Sequence, residues 1–270
     1  MRAPPDLKSS PVLAGLTVLT VMTYNLGNGR ARPERLVRLL SRGEAQVVAL
    51  QEVSDRQAQA FEEDLAAKYP YRAIFPGGFA GKALLSQFPI LRAELLPLGD
   101  ERPDLLTEVV LGDVKITVIS AHPPPPRPGR AGVRFSSSTW REIQSLAKLA
   151  RASDPCLLMG DFNLVPGRTE YTFIRSQGLK DAFAEVGRGW GATLPRRIGP
   201  WKRHLWLNRL LTWVPLPPVL RVDYLWCSPG LLPLEAWVGE DAGSDHLPLL
   251  GRVSVSSPRP TGEGLGVRAG

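Results

Sequence analysis

Cysteine, histidine and asparagine are scarce in this chain, at two, three and four of its 270 residues. Cys156 and Cys227 both lie in apolar runs, Cys-Leu-Leu-Met and Leu-Trp-Cys, which reads as two buried, reduced core thiols. A disulfide scaffold is excluded, and no Cys-x-x-Cys or Cys/His spacing offers a soft-metal site. No apolar run reaches the ~18–20 residues that a membrane-spanning helix needs. The run Val12–Met22 follows Arg2 and Lys8, as in a secretory leader, but passes straight into Thr23-Tyr24-Asn25 without a small-residue cleavage site. It reads as a first core strand, and the expected compartment is the cytoplasm. No motif for a nucleophilic Ser or Cys is present, so a covalent hydrolase plan has no support.

Glycine and proline, in contrast, are plentiful, at 26 each. Proline stands at about twice its usual ~5% share, which predicts many turns and function carried on loops. With 43% hydrophobic and 22% charged residues the chain suits one large globular domain, placed here at residues 1–255. Ser256–Gly270 is Pro/Gly-rich with few large apolar residues and reads as a disordered tail.

Short β-rich apolar runs predict strands at Leu16–Thr23, Ala45–Leu50, Lys82–Ser86, Thr107–Leu111, Val114–Ser120, Cys156–Met159, Val222–Trp226 and Leu249–Val255. Gly112-Asp113 marks a hairpin between two of them. Helical patterns cover Pro33–Ser41, stopped at Gly43, then Arg56–Lys68, then Thr139–Arg151, opened by a Thr139…Glu142 capping box. Strands mixed with helices and hairpins imply a layered α/β fold with packed sheets.

The informative feature is where the scarce polar residues fall. Apolar strands stop at Thr23-Tyr24-Asn25, Leu50-Gln51-Glu52, Ser120-Ala121-His122, Gly160-Asp161-Phe162-Asn163 and Ser244-Asp245-His246, and Asp223 enters another strand as a lone carboxylate. Each has an ordinary explanation when taken singly: a turn residue, an Asx turn, a paired core acid. Six polar strand ends together have no common structural reason, whereas a rigid sheet edge would gather them on one rim. Carboxylates, amides and imidazoles without a nucleophile suit metal-assisted hydrolysis of a phosphoester. A hard cation such as Mg²⁺, or Mn²⁺ in its place, takes one or two carboxylates plus substrate oxygens.

The ordered series Tyr24-Asn25-Leu26, Gln51-Glu52, Ala83-Leu84-Leu85-Ser86, His122, Gly160-Asp161-Phe162-Asn163, Val222-Asp223-Tyr224 and Ser244-Asp245-His246-Leu247-Pro248 resembles the endonuclease/exonuclease/phosphatase superfamily, the DNase I-like fold. The resemblance spans roughly residues 16–255. It implies a four-layered α/β sandwich, two packed mixed/antiparallel β-sheets flanked by helices, with the active site at one sheet edge. It also implies that Asn25, Glu52 and Asp245 belong to the metal site, with Glu52 the direct ligand. Asp161 is then similar to the carboxylate that orients or deprotonates the attacking water. Asn163 and His122 match donors to the phosphate oxygens, and Asp223 and His246 resemble the family's Asp–His pair. Ser120 stands where many members carry Asn, and Gly27 where some DNA-repair members carry an acid. Ser120-Ala121-His122 also replaces the Asn-x-Tyr segment of apurinic endonucleases. These departures point away from abasic-site repair, towards phosphatases, sphingomyelinase-like lipases and non-specific nucleases. A non-catalytic phospholigand-binding relative is the alternative of a different class.

Formal charge is +7, from 33 basic and 26 acidic residues. Residues 186–222 hold seven basic residues and no acid, together with four of the seven tryptophans. Within this insert Trp201–Val214 reads as an amphipathic helix stopped by Pro215. Three roles stay open for it: a lid on the sandwich, an interfacial helix on an anionic membrane, or a nucleic-acid surface. The expected protein is a monomer acting on an anionic phosphoester, peripheral at the membrane if the insert docks there.

Overall fold

Alternation of side chains along each strand decides the layering. In the computed structural model, which describes residues 17–129, 132–196 and 216–255, β1 (Thr17–Asn25) turns Leu19 and Val21 to one face and Met22 and Tyr24 to the other. β2 (Val47–Gln51) does the same with Val47 and Ala49 against Val48 and Leu50. Strands apolar on both faces must be covered on both, so helices pack outside and a second sheet packs inside.

The first sheet has the order β13 (Leu231–Val238), β14 (Leu249–Val255), β1, β2, β4 (Lys82–Ser86), β3 (Tyr71–Phe75). The second runs β11 (Lys180–Asp181), β12 (Asp223–Cys227), β10 (Cys156–Asp161), β7 (Val114–Ala121), β6 (Asp104–Leu111), β5 (Ile90–Leu96). A separate two-stranded hairpin, β8 (Arg127–Gly129) with β9 (Gly132–Arg134), follows β7. Between the sheets lie Leu19, Val21, Val109, Val118, Leu157, Met159 and Leu225. α1 (Pro33–Arg42) and α2 (Asp55–Asp64) cover the first sheet through Leu36, Leu40 and Phe61. α3 (Ser137–Ala152) and α4 (Thr169–Ser176) cover the second through Ile143, Leu146 and Ile174. α5 (Ala182–Val186) adds Ala182 and Phe183 to the central layer. Each such fully buried Leu, Val or Phe contributes roughly 1.5–3 kcal/mol. The result is the expected four-layered α/β sandwich. Cys156 and Cys227 are buried free thiols, as read from their neighbours. Among the described residues no helix is long and apolar enough to cross a membrane.

All eight predicted strands form, and Gly112 takes φ 58° in the two-residue turn joining β6 to β7. The start at Leu16, the helix Trp201–Val214 and the tail Ser256–Gly270 lie outside the described residues. Two helix ends differ from expectation. Ser136, not Thr139, caps α3, its hydroxyl accepting from Thr139 N at 3.0 Å. The three preceding serines let the helix begin a turn earlier, and Glu142 is then a buried interior residue instead of a capping one. α2 stops at Asp64 instead of Lys68, its chain closing in a turn where Tyr69 N reaches Leu65 O at 2.8 Å.

Topology sets where the chemistry falls. β1 runs parallel to β2, and β7 to β10, while β12 and β14 run against their neighbours. The ends of the first four and the starts of the last two therefore share one edge. At that edge Gly160 (φ 150°) pairs with Ala121, and a Cβ there would sit 1.9 Å from the Ala121 carbonyl oxygen. Gly160→Ala is expected to destabilise the fold by at least ~1–3 kcal/mol, the usual cost of overpacking, read as a lowered urea midpoint at unchanged m.

Candidate active site

Inward-facing positions carry the apolar core along each strand and then change character at the shared edge. On β1 they run Leu19, Val21, Thr23, Asn25; on β2 Val47, Ala49, Gln51; on β10 Leu157, Met159, Asp161; on β12, read backwards, Cys227, Leu225, Asp223. Just below the rim a polar strut joins the two sheets. Thr23 Oγ1 donates to Gln51 Oε1 at 3.2 Å, and Gln51 Nε2 donates to Ser120 Oγ at 2.9 Å.

Asp161 is the centre of the site. Its Oδ2 accepts from Asn25 Nδ2 at 3.0 Å and lies 3.4 Å from His122 Nε2 and 3.6 Å from His246 Nε2. Its Oδ1 accepts from the backbone N–H of Asn163 at 2.9 Å. Glu52 Oε1 stands 3.3 Å from Asn25 Nδ2 and 3.6 Å from His122 Nε2. Asp223 Oδ2 holds His246 Nδ1 at 3.0 Å. Asp245 pairs with Arg30 at 2.9 Å, and its neighbour Ser244 donates to Asn25 O at 2.7 Å and accepts from His246 N at 3.2 Å. Asn163 Nδ2 donates to Pro123 O at 3.1 Å. The structure thus brings together all eight residues singled out in the sequence. Glu52 (φ 57°) and Asn163 (φ 52°) both hold left-handed backbone, the kind of local strain that gathers at working sites.

Burial and charge set the protonation states. Burial pushes the Glu52 carboxyl up to about 7, with Asp161 and Asp245 adding to it against the Asn25 hydrogen bond. Burial alone would also raise Asp161, but the charge of His246 and the hydrogen bond from His122 outweigh it and keep that carboxyl well below the usual range. For His246, burial is overcome by Asp223 and Asp161, which raise the imidazole to about 10. Burial lowers His122 to about 4, so it is neutral. Asp223 goes up, chiefly through burial, against the pull of His246.

Sequence reasoning missed several groups. Arg102, on the loop before β6, places Nη1 2.7 Å from His122 Nε2 and its guanidinium over the Phe79 ring at 5.8 Å. Nothing in Glu-Arg-Pro before a strand distinguishes it. Asp104 accepts from His122 N at 3.1 Å and so fixes the backbone of that histidine. Behind it Lys82 and Glu142 are buried, and Asp104 Oδ2 and both Glu142 oxygens have no hydrogen-bond partner. A lysine opening the Ala-Leu-Leu strand was the available signal.

The donor set fits a hard divalent cation. Glu52, Asp161 and Asp245 collect carboxylate charge around one amide, and Asp161 and Asp245 add to the burial that raises the Glu52 carboxyl. Glu52 would be the direct ligand, with Asn25 and Asp245 beside it. The one carboxylate/imidazole grouping with ligand atoms within 4.8 Å of one another among the described residues is Asp161 with Asp223 and His246. There Asp223 and His246 already satisfy each other, and an imidazole suits Mg²⁺ less well than oxygen does. The carboxylate–amide side is the better match.

Comparison with known proteins identifies the family. The family model described as "Endonuclease/Exonuclease/phosphatase family" matches residues 22–246. Exodeoxyribonuclease III of Haemophilus influenzae is 26% identical over 156 residues, 54% of this chain and 57% of that protein, so the match spans little more than half the relative's length. A solved endonuclease/exonuclease/phosphatase family protein from Leptotrichia buccalis superposes with TM-score 0.63 at 19% identity, covering 87% of this chain and 99% of that one. Sphingomyelinase C from Streptomyces griseocarneus gives TM-score 0.60 at 18% identity, covering 87% of this chain and 99% of that one. The two structures establish likeness of fold, and the family model reaches from the second half of β1 to His246: the chain belongs to the endonuclease/exonuclease/phosphatase family.

Proposed function

We propose that the chain hydrolyses a phosphoester, a diester or a monoester, with a divalent cation (Mg²⁺, or Mn²⁺ in its place) and a water nucleophile, without a covalent intermediate. The observation that carries this reading is the Asp161 carboxylate, ionised and buried between two imidazoles and beside Glu52. Bound at Glu52, the cation would supply Lewis-acid stabilisation of charge on the phosphoryl oxygens. Asp161 accepts a hydrogen bond from the attacking water and takes its proton. The water oxygen forms the new bond to phosphorus, and the bond to the leaving oxygen breaks with its electron pair remaining on that oxygen. His246, held in one orientation by Asp223, presents positive charge to the phosphoryl group. Neutral His122, the Asn163 amide and Arg102 complete the donors.

The named relatives include a deoxyribonuclease and a sphingomyelinase, so nucleic acid and lipid both stand as substrate classes. For residues 186–222 we propose an anionic partner, membrane or nucleic acid. A cytoplasmic enzyme that visits the membrane surface fits the lipid case.

Three outcomes test the reading. Hydrolysis of bis(p-nitrophenyl) phosphate is expected to vanish in EDTA and return with Mg²⁺ or Mn²⁺, and Glu52→Ala and His246→Ala should each lose ~10²-fold or more in kcat. Activity that persists in EDTA, or in both variants, overturns it. The second concerns stability. Glu52 has a raised folded-state pKa, so its burial costs nothing below its ordinary value of 4.5 and destabilises progressively as pH rises through about 7. Metal-free Glu52→Gln should therefore melt higher than wild type at pH 8 and alike at pH 4. Saturating Mg²⁺ should raise the wild-type melting temperature at pH 8, by ~2.7 kcal/mol of stability at a hundredfold excess over Kd, and leave the variant unmoved. Third, Arg102→Ala should lower kcat/KM about 10-fold or more, the cost of one charged hydrogen bond; an unchanged kcat/KM removes Arg102 from the donor set.

A further inference from the structure

The chain leaves His122 through Pro123–Pro126 and then forms the exposed β8–β9 hairpin. Proline fixes φ and holds the residue before it extended, so the five steps from His122 to Arg127 reach about 15 Å at ~3.1 Å per residue. The base of this arm is tied to the site, because Pro123 O accepts from Asn163. Its tip is steadied by Arg168, which donates to Val133 O at 3.0 Å, and by the exposed pair Arg127–Glu101 at 2.8 Å.

The hairpin carries an electrostatic conflict. Arg127 and Arg134 face each other across the ladder, where like charges are destabilising. An isolated two-stranded ribbon has little stability to set against that repulsion. Arg134 makes no ion pair among the described residues, and the Arg127–Glu101 pair is too exposed to be worth much. Elsewhere the arginines of the basic insert that are described are neutralised: Arg188 by Glu235 at 2.7 Å, Arg196 by Asp241 at 3.3 Å and Arg221 by Asp181 at 2.7 Å. Among the described residues Arg134 and Arg102 make no ion pair, and Arg127 has only the exposed pair with Glu101.

We propose that the β8–β9 hairpin binds the phosphate backbone of a nucleic-acid strand whose scissile phosphate lies at Asp161. This inference rests on the phosphoesterase reading and narrows its substrate class. An anion bridging Arg127 and Arg134 removes their repulsion. A site at the end of an arm with an extended reach of about 15 Å is, at ~3.4 Å per nucleotide along a strand, up to some four nucleotide steps from His122, beyond the reach of a small phosphoester. At the near end Phe79 is 58% exposed beneath Arg102 and offers a stacking face for a base. A bilayer is the poorer partner, because Val133 (49% exposed) is the hairpin's only large apolar side chain besides proline among the described residues.

The test compares wild type with the double variant Arg127→Gln, Arg134→Gln. Binding of a fluorescent single-stranded oligodeoxynucleotide is measured in EDTA across a salt series. The variant should bind about tenfold more weakly or worse, and its log K against log salt slope should be shallower by about 1.4, the loss of two phosphate contacts. Its rate on bis(p-nitrophenyl) phosphate with Mg²⁺ should match wild type. Equal oligonucleotide binding by the two proteins, or none by wild type, overturns the proposal. So does loss of sedimentation with phosphatidylserine vesicles while oligonucleotide binding is unchanged. If wild type fails to hydrolyse the small diester but the binding difference stands, the phosphoesterase reading fails and the hairpin remains an oligonucleotide-binding arm.

Discussion

The Asp161–Asn25 hydrogen bond joins the two halves of the molecule at the place where the chemistry is expected. Asn25 ends β1 in the first sheet and Asp161 ends β10 in the second, and the carboxylate is buried. A buried charge is tolerated only when its hydrogen-bonding capacity is met. Here two donors from the chain and two imidazoles meet it, and they come from both sheets. The facing apolar layers bring the sheets together without direction, and the polar rim gives them a register. The Thr23–Gln51–Ser120 strut repeats the arrangement one position deeper. Packing the sheets and assembling the site are therefore one event.

Other parts of the rim hold energy that a purely structural edge would not. Glu52 and Asn163 sit in left-handed backbone, Glu52 is raised by burial, and Asp104 and Glu142 keep buried oxygens without partners beside Lys82. All are grouped around His122 and Asp161. A chain selected for stability alone would replace such groups with apolar ones of similar volume. Their concentration at one edge argues that the neighbouring imidazoles and carboxylates are held in place for use.

Much of this was legible in the sequence because two signals coincide. Short apolar runs reveal central strands, and a scarce polar residue where such a run stops or starts marks where each one reaches the edge. Asn25, Asp161 and Asp223 were found in this way. The predicted runs stopped early, at Thr23 and Met159, because apolarity ends before pairing does: Asn25 still pairs with Gln51, and Asp161 with Asp223. β3, β5 and β13 were missed for a related reason. They are edge strands, half exposed, and β13 is broken by a bulge at Pro233. Arg102 was invisible because its significance is a matter of neighbours far apart in the chain, and Lys82, which opens a predicted strand, gains its meaning only from Asp104 and Glu142.

Net charge is the property that the structure most redistributes. By count the seven basic residues of 186–222 account for the whole excess, since the others balance at 26 basic and 26 acidic. Balance in number is not balance in space. Glu52, Asp161, Asp223 and Asp245 are gathered at one edge against Arg30 and the His246 imidazolium, while Arg102, Arg127 and Arg134 stand outside them. An approaching phosphate is drawn to the outer arginines and then meets carboxylates. Attraction at the rim and repulsion within are reconciled once a divalent cation reverses the sign of the interior. The metal requirement proposed above thus has a basis in the charge arrangement of this chain, independent of its relatives. The same crowding of carboxylates adds to the burial that holds Glu52 high without one.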